Sequence, residues 1–186
     1  MKNKYIKWSV ITLIAFTLLS FVNAGDWKSF ESKLFKFRVE FPDVPTEQSQ
    51  TVPSAIGDLK MNFYMYDASS VPNSKDENLV YMVNYTSYPK DKVNSNNKEM
   101  LKTFFDGAVS GAVANVQGKL ISQKDINYGL HPGREAKIDF QNGTAIINVR
   151  LYLVANNMYM IQTITETKKD NNASIKKFMD SFKITE

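Results

Sequence analysis

The chain has 186 residues, with 23 Lys and Arg against 19 Asp and Glu, a net charge of +4. It contains no cysteine and a single histidine. That leaves no disulfide, no thiolate metal site, no cysteine to carry a lipid and no cluster of histidine ligands.

The charge is concentrated at the start. Lys2, Lys4 and Lys7 precede an apolar run from Val10 to Val22, broken by Thr12, Thr17 and Ser20, and Val22-Asn23-Ala24 followed by Gly25 fits a small-residue cleavage site. The run is shorter than the roughly 20 apolar residues of a membrane-spanning helix. The expectation is a signal peptide over 1–24, cut near Ala24, and a single domain over 25–186 in a bacterial periplasm or outside the cell. No stable membrane insertion is expected after cleavage. Without those three lysines 20 cations face 19 acids, so no broad basic field for nucleic acid remains. The remaining length can bury one sizeable core. Lacking disulfides, such a domain must be held by packing, which suits the bacterial envelope.

Residues 26–33 read as a short helix or a loop. Phe35, Phe37, Val39 and Phe41 then alternate with Lys36, Arg38 and Glu40, which predicts a half-buried strand stopped by Pro42 and Pro45. A second strand is expected over 48–56, with a turn at Gly57-Asp58. Leu59, Met61, Phe63 and Met65 alternate with Lys60, Asn62, Tyr64 and Tyr66 in a third. After a polar loop at 67–77, residues 79–88 are apolar on both faces at their start and predict a central strand. Met100, Leu101, Phe104, Phe105 and Val109 recur at helical spacing over 98–115, with Asn96-Asn97 as cap and Gly118 as stop. The second half reads as a meander, with strands near 119–127, 134–140, 144–154 and 158–165. Its turns fall at Gly129 to Gly133, at Asn142-Gly143 as a type I′ turn, and at Asn156-Asn157. Ile175, Phe178, Met179 and Phe182 form the stripe of a final helix, capped by Asn171 or Asn172. The class is α+β, an antiparallel sheet of about six to eight strands with helices packed on it.

Three stretches resemble the Mog1/PsbP-like proteins: Phe35 to Pro42, Gly133 to Leu153 through Asn142-Gly143, and Tyr159 to Thr165 followed by Phe178 to Phe182. The resemblance covers most of the domain and is greatest to small exported bacterial members of that group, many without assigned activity. It implies an α/β/α sandwich and an accessory or binding role, and it gives no reason to expect a photosystem or a cytosolic GTPase as partner.

Catalytic signatures are missing from the sequence: no Walker loop, GxGxxG, HExxH or GxSxG occurs. His131 lies in a Gly-Leu-His-Pro-Gly turn without a second histidine, so a triad is not expected and exposure in a loop is. Asp67, Asp76 and Glu77 share a loop but match no calcium-binding spacing. Arg134 and Arg150 suit either structural pairing with Asp139 or Glu135 or a clamp on an anion. A polar sheet face is expected to gather Lys60, Asn62, Tyr64, Tyr66, Asn84, Tyr88, Asn148, Arg150, Tyr152 and Gln162. From these, Tyr64, Tyr66, Arg134, Asn148, Arg150 and Tyr152 are the candidate contacts to a ligand or partner. No cofactor, metal or catalytic residue is expected. The function expected is a non-catalytic binding or accessory module of the cell envelope, its partner an envelope protein or a small ligand. The alternatives are a small-molecule or metal binder, or an enzyme using Tyr, Arg and carboxylate groups on the polar face.

Overall fold

The computed structural model describes residues 26–54 and 56–185, so the expected signal segment lies outside the described residues. Two strands open the fold, β1 (Lys28–Ser32) and β2 (Phe37–Phe41). The first corrects the helix-or-loop reading of 26–33, which noted no alternation there. As a strand it brings Phe30 inward over Phe37, Phe41 and Tyr64. β3 (Thr46–Val52) starts and ends earlier than expected, and β4 (Leu59–Asp67) and β5 (Asn78–Ser87) follow.

Helix α1 (Lys98–Asn115) has the expected bounds, and the Asn97 side chain accepts from the Met100 N–H. It is not stopped by Gly118 in the way expected. The left-handed residue is Gln117, while Gly118 is pressed on β7 (His131–Phe140), where an added Cβ would lie 2.6 Å from the Asp139 carbonyl oxygen. The meander consists of β6 (Lys119–Tyr128), β7, β8 (Ala145–Val154) and β9 (Asn157–Glu166). Its turns differ in detail from the expectation. The β6–β7 turn is only Gly129-Leu130, so His131 belongs to β7 and is half-buried rather than looped out. The β7–β8 loop has four residues, with Gln141, Asn142 and Gly143 all at positive φ, not a two-residue type I′ turn. Helix α2 (Ala173–Ser181) is capped by Asn172, whose side chain accepts from the Ile175 N–H, and a two-residue strand β10 (Lys183–Ile184) ends the fold.

The sheet order is β3-β4-β5-β9-β8-β7-β6, antiparallel throughout, and β1-β2-β10 form a separate small sheet. The fold is α+β. One face of the large sheet carries α1 over Ala136, Ile138, Ile147, Val149, Leu151 and Leu153, with Phe105 and Val109 as the buried helix residues. The other face carries the small sheet and α2, which enclose an aromatic core of Phe37, Phe41, Tyr64, Tyr81, Tyr159, Phe178 and Phe182. Among the described residues no helix is long and apolar enough to cross a membrane.

Candidate functional site

Paired residues in adjacent strands face the same side of a sheet. The register therefore places Tyr64, Val83, Ile161, Arg150, Glu135 and Lys124 in one row, with Tyr66, Tyr81, Thr163, Asn148 and Lys137 beside it. Of the expected polar face, Asn84 and Gln162 fall on the opposite side, as does the separate candidate Arg134, and Tyr88 lies beyond β5 against Phe104. The polar face expected from the sequence is thus divided. The reason is register: even-numbered residues of β4, β8 and, from Ser122 onward, β6 share a face with odd-numbered residues of β5, β9 and β7.

The face that does carry Tyr64, Asn148, Arg150 and Tyr152 is not evenly open. Tyr64 is buried under Phe30 and Phe37, its hydroxyl 3.4 Å from Ser32 Oγ, and Tyr66 sits half-buried against Tyr81. Tyr152 is closed over by the stacked ring of Phe182 and the edge of Tyr128. Burial pushes the hydroxyl pKa of all three tyrosines up. These three serve the core layer as the structure stands.

Asn148 and Arg150 come together elsewhere. Helix α2 packs most closely on β2, β5 and β9, and toward β6 to β8 it makes contact through side chains such as Asp180 on Arg150. A cleft of about 350 Å³ is left between them, floored by Lys124, Glu135, Lys137, Asn148 and Arg150 and walled by Ile175 and Met179. Charges alternate along it. Lys124 pairs with Glu135 at 2.8 Å, Arg150 Nε donates to Glu135 at 2.9 Å, and Arg150 Nη1 donates to Asp180 at 2.7 Å, where Lys176 also pairs. A second cluster joins Lys137 Nζ to Asp170 at 2.6 Å and to the Asn171 side-chain oxygen at 3.1 Å, with Asn148 donating to Asp170 at 3.2 Å.

These contacts set the protonation of the site. Burial opposes the charge of Glu135, but donation from Lys124 and Arg150 outweighs it and holds the carboxyl below its ordinary range. Asp170 behaves alike through Lys137 and Asn148, and Lys176 with Arg150 lowers Asp180. Burial works against the Arg150 charge too, yet Asp180 and Glu135 raise its pKa overall. All three acids are ionised at neutral pH, so the cleft offers fixed charges of both signs. Among the described residues no group of three or more His, Cys, Asp and Glu is placed to hold a metal ion.

Arg134 lies on the other side of the sheet under α1. It donates to Asp125 at 2.7 Å, to Asp106 at 2.8 Å and to Gln123 at 2.9 Å, its guanidinium 5.9 Å from the Phe105 ring centre. The structure thus separates it from the Arg150 cleft by the thickness of the sheet. Glu135, Lys137, Lys124, Asp170, Lys176 and Asp180 were not singled out from the sequence as site residues. The first two had a usable signal, since strands folding back about Asn142-Gly143 bring 135 opposite 150 and 137 opposite 148.

No protein-family model and no curated protein sequence matches the chain. Among solved structures it is similar to the cyanobacterial PsbP protein (CyanoP) of Synechocystis, at 10% identity over 85% of this chain and 92% of that one, with a TM-score of 0.46. It is also similar to a Pseudomonas aeruginosa protein of unknown function, PA94, at 11% identity over 78% and 86%, with a TM-score of 0.30. At such identities and TM-scores neither likeness says anything of an activity, ligand or partner.

Proposed function

We propose that the chain is an exported envelope protein that acts by binding rather than by catalysis, and that the cleft between α2 and β6 to β8 is its recognition site. The observation that carries this is the paired ladder Lys124–Glu135–Arg150–Asp180 beside Lys137–Asp170–Asn148. Its acids are held ionised, so they keep no proton for general-acid work at neutral pH. Its cations are met by acids, so a bare anion would have to break existing pairs. A polar partner segment carrying both carboxylate and amine groups can exchange them one for one, while Ile175 and Met179 supply an apolar wall. The cleft volume also falls in the range of small-molecule sites, which keeps a small zwitterionic ligand as the second reading. Export rests on the order of charged, apolar and small residues in 1–24.

The test is cross-linking and pull-down from the envelope fraction, with the wild type beside Arg150→Ala/Asn148→Ala, together with the intact mass of the recovered protein. A partner or ligand retained by the wild type and lost by the variant is expected, at a mass beginning near Gly25. Equal recovery by a folded double variant would sink the cleft as the site, and a mass that includes Met1 to Ala24 would sink the export reading.

A further inference from the structure

The strand connections divide between two ends of the molecule, and the ends differ in charge. One end gathers the β1–β2 turn, residues 53–54 and 56–58, the β5–α1 loop, the β6–β7 turn and the β8–β9 turn. Contacts tie these together: Tyr159 Oη donates to the Phe35 carbonyl, Phe35 stacks on Tyr85, the Ile184 N–H donates to Tyr128 Oη, and the Ser95 N–H donates to the Ala155 carbonyl. Two leucines stand on its hairpin tips, Leu34 at 80% and Leu130 at 99% exposure. Neither contributes to a core, and turn positions ordinarily favour Gly, Asn or Asp. Around them Lys33, Lys36 and Lys90 are exposed and form no ion pair among the described residues, whereas Lys92 pairs with Asp91. The opposite end also has protruding apolar residues, Val44 at 71% and Val71 at 40%, but they stand beside Asp43, Asp76 and Glu77 with Lys75 as the one cation of that loop, whereas Asp58 is the acid of the 56–58 turn at the leucine end, so the two groups still differ in sign.

We propose that the Leu34/Leu130 end docks reversibly on an anionic phospholipid surface, the two leucines entering the headgroup boundary and Lys33, Lys36 and Lys90 meeting lipid phosphates. Charge sign selects this end over the Val44 end, because a negative surface repels Asp43, Asp76 and Glu77. The spacing of the apolar groups selects lipid over protein. A protein partner needs a contiguous complementary patch of about 800 Å², while a fluid leaflet accepts isolated tips carried on stiff hairpins. The docking is peripheral and independent of the cleft. With this end down, the cleft along α2 would lie on the side of the protein, accessible from the envelope space.

Among the described residues both core clusters lie within residues 27–184, and the sample is the protein recovered from the envelope after removal of the segment before Gly25, its fold checked by circular dichroism. The experiment is co-sedimentation with vesicles of phosphatidylcholine alone and of phosphatidylcholine with phosphatidylglycerol in equal parts. Binding to the second and little to the first is expected, falling as salt is raised from about 0.1 M to about 1 M and the screening length shrinks. Lys33→Ala/Lys36→Ala should weaken binding about 25-fold, near fivefold for each lysine, and Leu34→Ser/Leu130→Ser at least about tenfold. Val44→Ser should change nothing. Circular dichroism identifies any variant that misfolds, and the exposed tips make that outcome confined to a variant rather than to the set. No vesicle binding, equal binding to both vesicle types, folded tip variants that bind like the wild type, or a loss on Val44→Ser would each overturn the proposal.

Discussion

Phe105 is the sharpest probe of how α1 is seated. Its ring is 2% exposed, buried between the helix and the β7–β8 part of the sheet, beneath the Arg134 guanidinium. A buried Phe removes about 150–250 Å² from water. At about 25 cal/mol per Å² this corresponds to about 4–6 kcal/mol, of which an alanine methyl retains about 1. The cavity left behind adds to the loss and partial collapse subtracts from it, so Phe105→Ala should cost about 3–5 kcal/mol. In a domain of this size each kcal/mol lowers Tm by about 2–4 °C, which gives a shift of roughly 6–20 °C. Phe104 is the neighbouring residue but only half-buried, against Tyr88, and Phe104→Ala should cost about half as much. Urea unfolding followed by circular dichroism measures both. A Phe105→Ala loss below about 1 kcal/mol, or a larger loss at Phe104 than at Phe105, would refute the helix phase and with it the seating of α1.

Gly133→Ala should destabilise by about 1–3 kcal/mol in the same assay, because the new Cβ would sit 2.6 Å from the Tyr152 ring and closer still to the Leu151 carbonyl oxygen; a neutral result would mean that β7 and β8 can part at no cost. Glu135, Asp170 and Asp180 all have folded pKa values held below their ordinary ones, so their pairing stabilises above the unfolded carboxylate range near pH 4 and is lost as pH falls through the lower folded values. Melting curves taken from pH 7 down to pH 3 should show Tm falling below about pH 4, and Asp180→Asn should reduce the acid-dependent part of the fall; an identical profile in the variant would show that the ladder is not coupled to folding. His131→Ala should leave folding and partner recovery unchanged, since the residue begins β7 away from the cleft, and loss of binding with the fold intact would move the functional centre to the β6–β7 turn.

Much of the fold was legible because its signals are local. The alternation in 35–41 and 59–66, the helical spacing in 98–115, the Asn97 and Asn172 caps and the Asn-Gly loop each declare themselves within a few residues. β1 and β10 did not. Lys28–Ser32 has one inward aromatic, Phe30, and Lys183–Ile184 is two residues long, so each is a strand only because β2 lies between them. The cleft was half legible. Arg150 and Asn148 stood out as polar residues on a strand with an apolar far side, but Asp180 reaches Arg150 from α2 and Asp170 reaches Asn148 from the segment before that helix, across sequence separations that no pattern in β8 encodes. The side of the sheet that Arg134 takes was not legible for a similar reason. Without the one-residue phase of β7 relative to β8, nothing in the sequence tells which side of the sheet it takes.

The small sheet has a consequence for when this protein can become itself. The N–H of Glu40 donates to Ser181 Oγ across 141 residues, and β2 receives β10 along its free edge. Phe37 and Phe41 find their aromatic partners Phe182 and Phe178 only when the last helix arrives. Contacts of such long sequence separation form late and slowly. The first strands can pair with each other and meet Tyr64 early, but the edge of β2 and the outer side of its aromatic layer stay open until α2 and β10 follow. A chain arranged in this order completes its second core only when residues 172–184 reach residues 37–41, which ties the closure of that layer to the docking of α2 rather than to the hairpins before it.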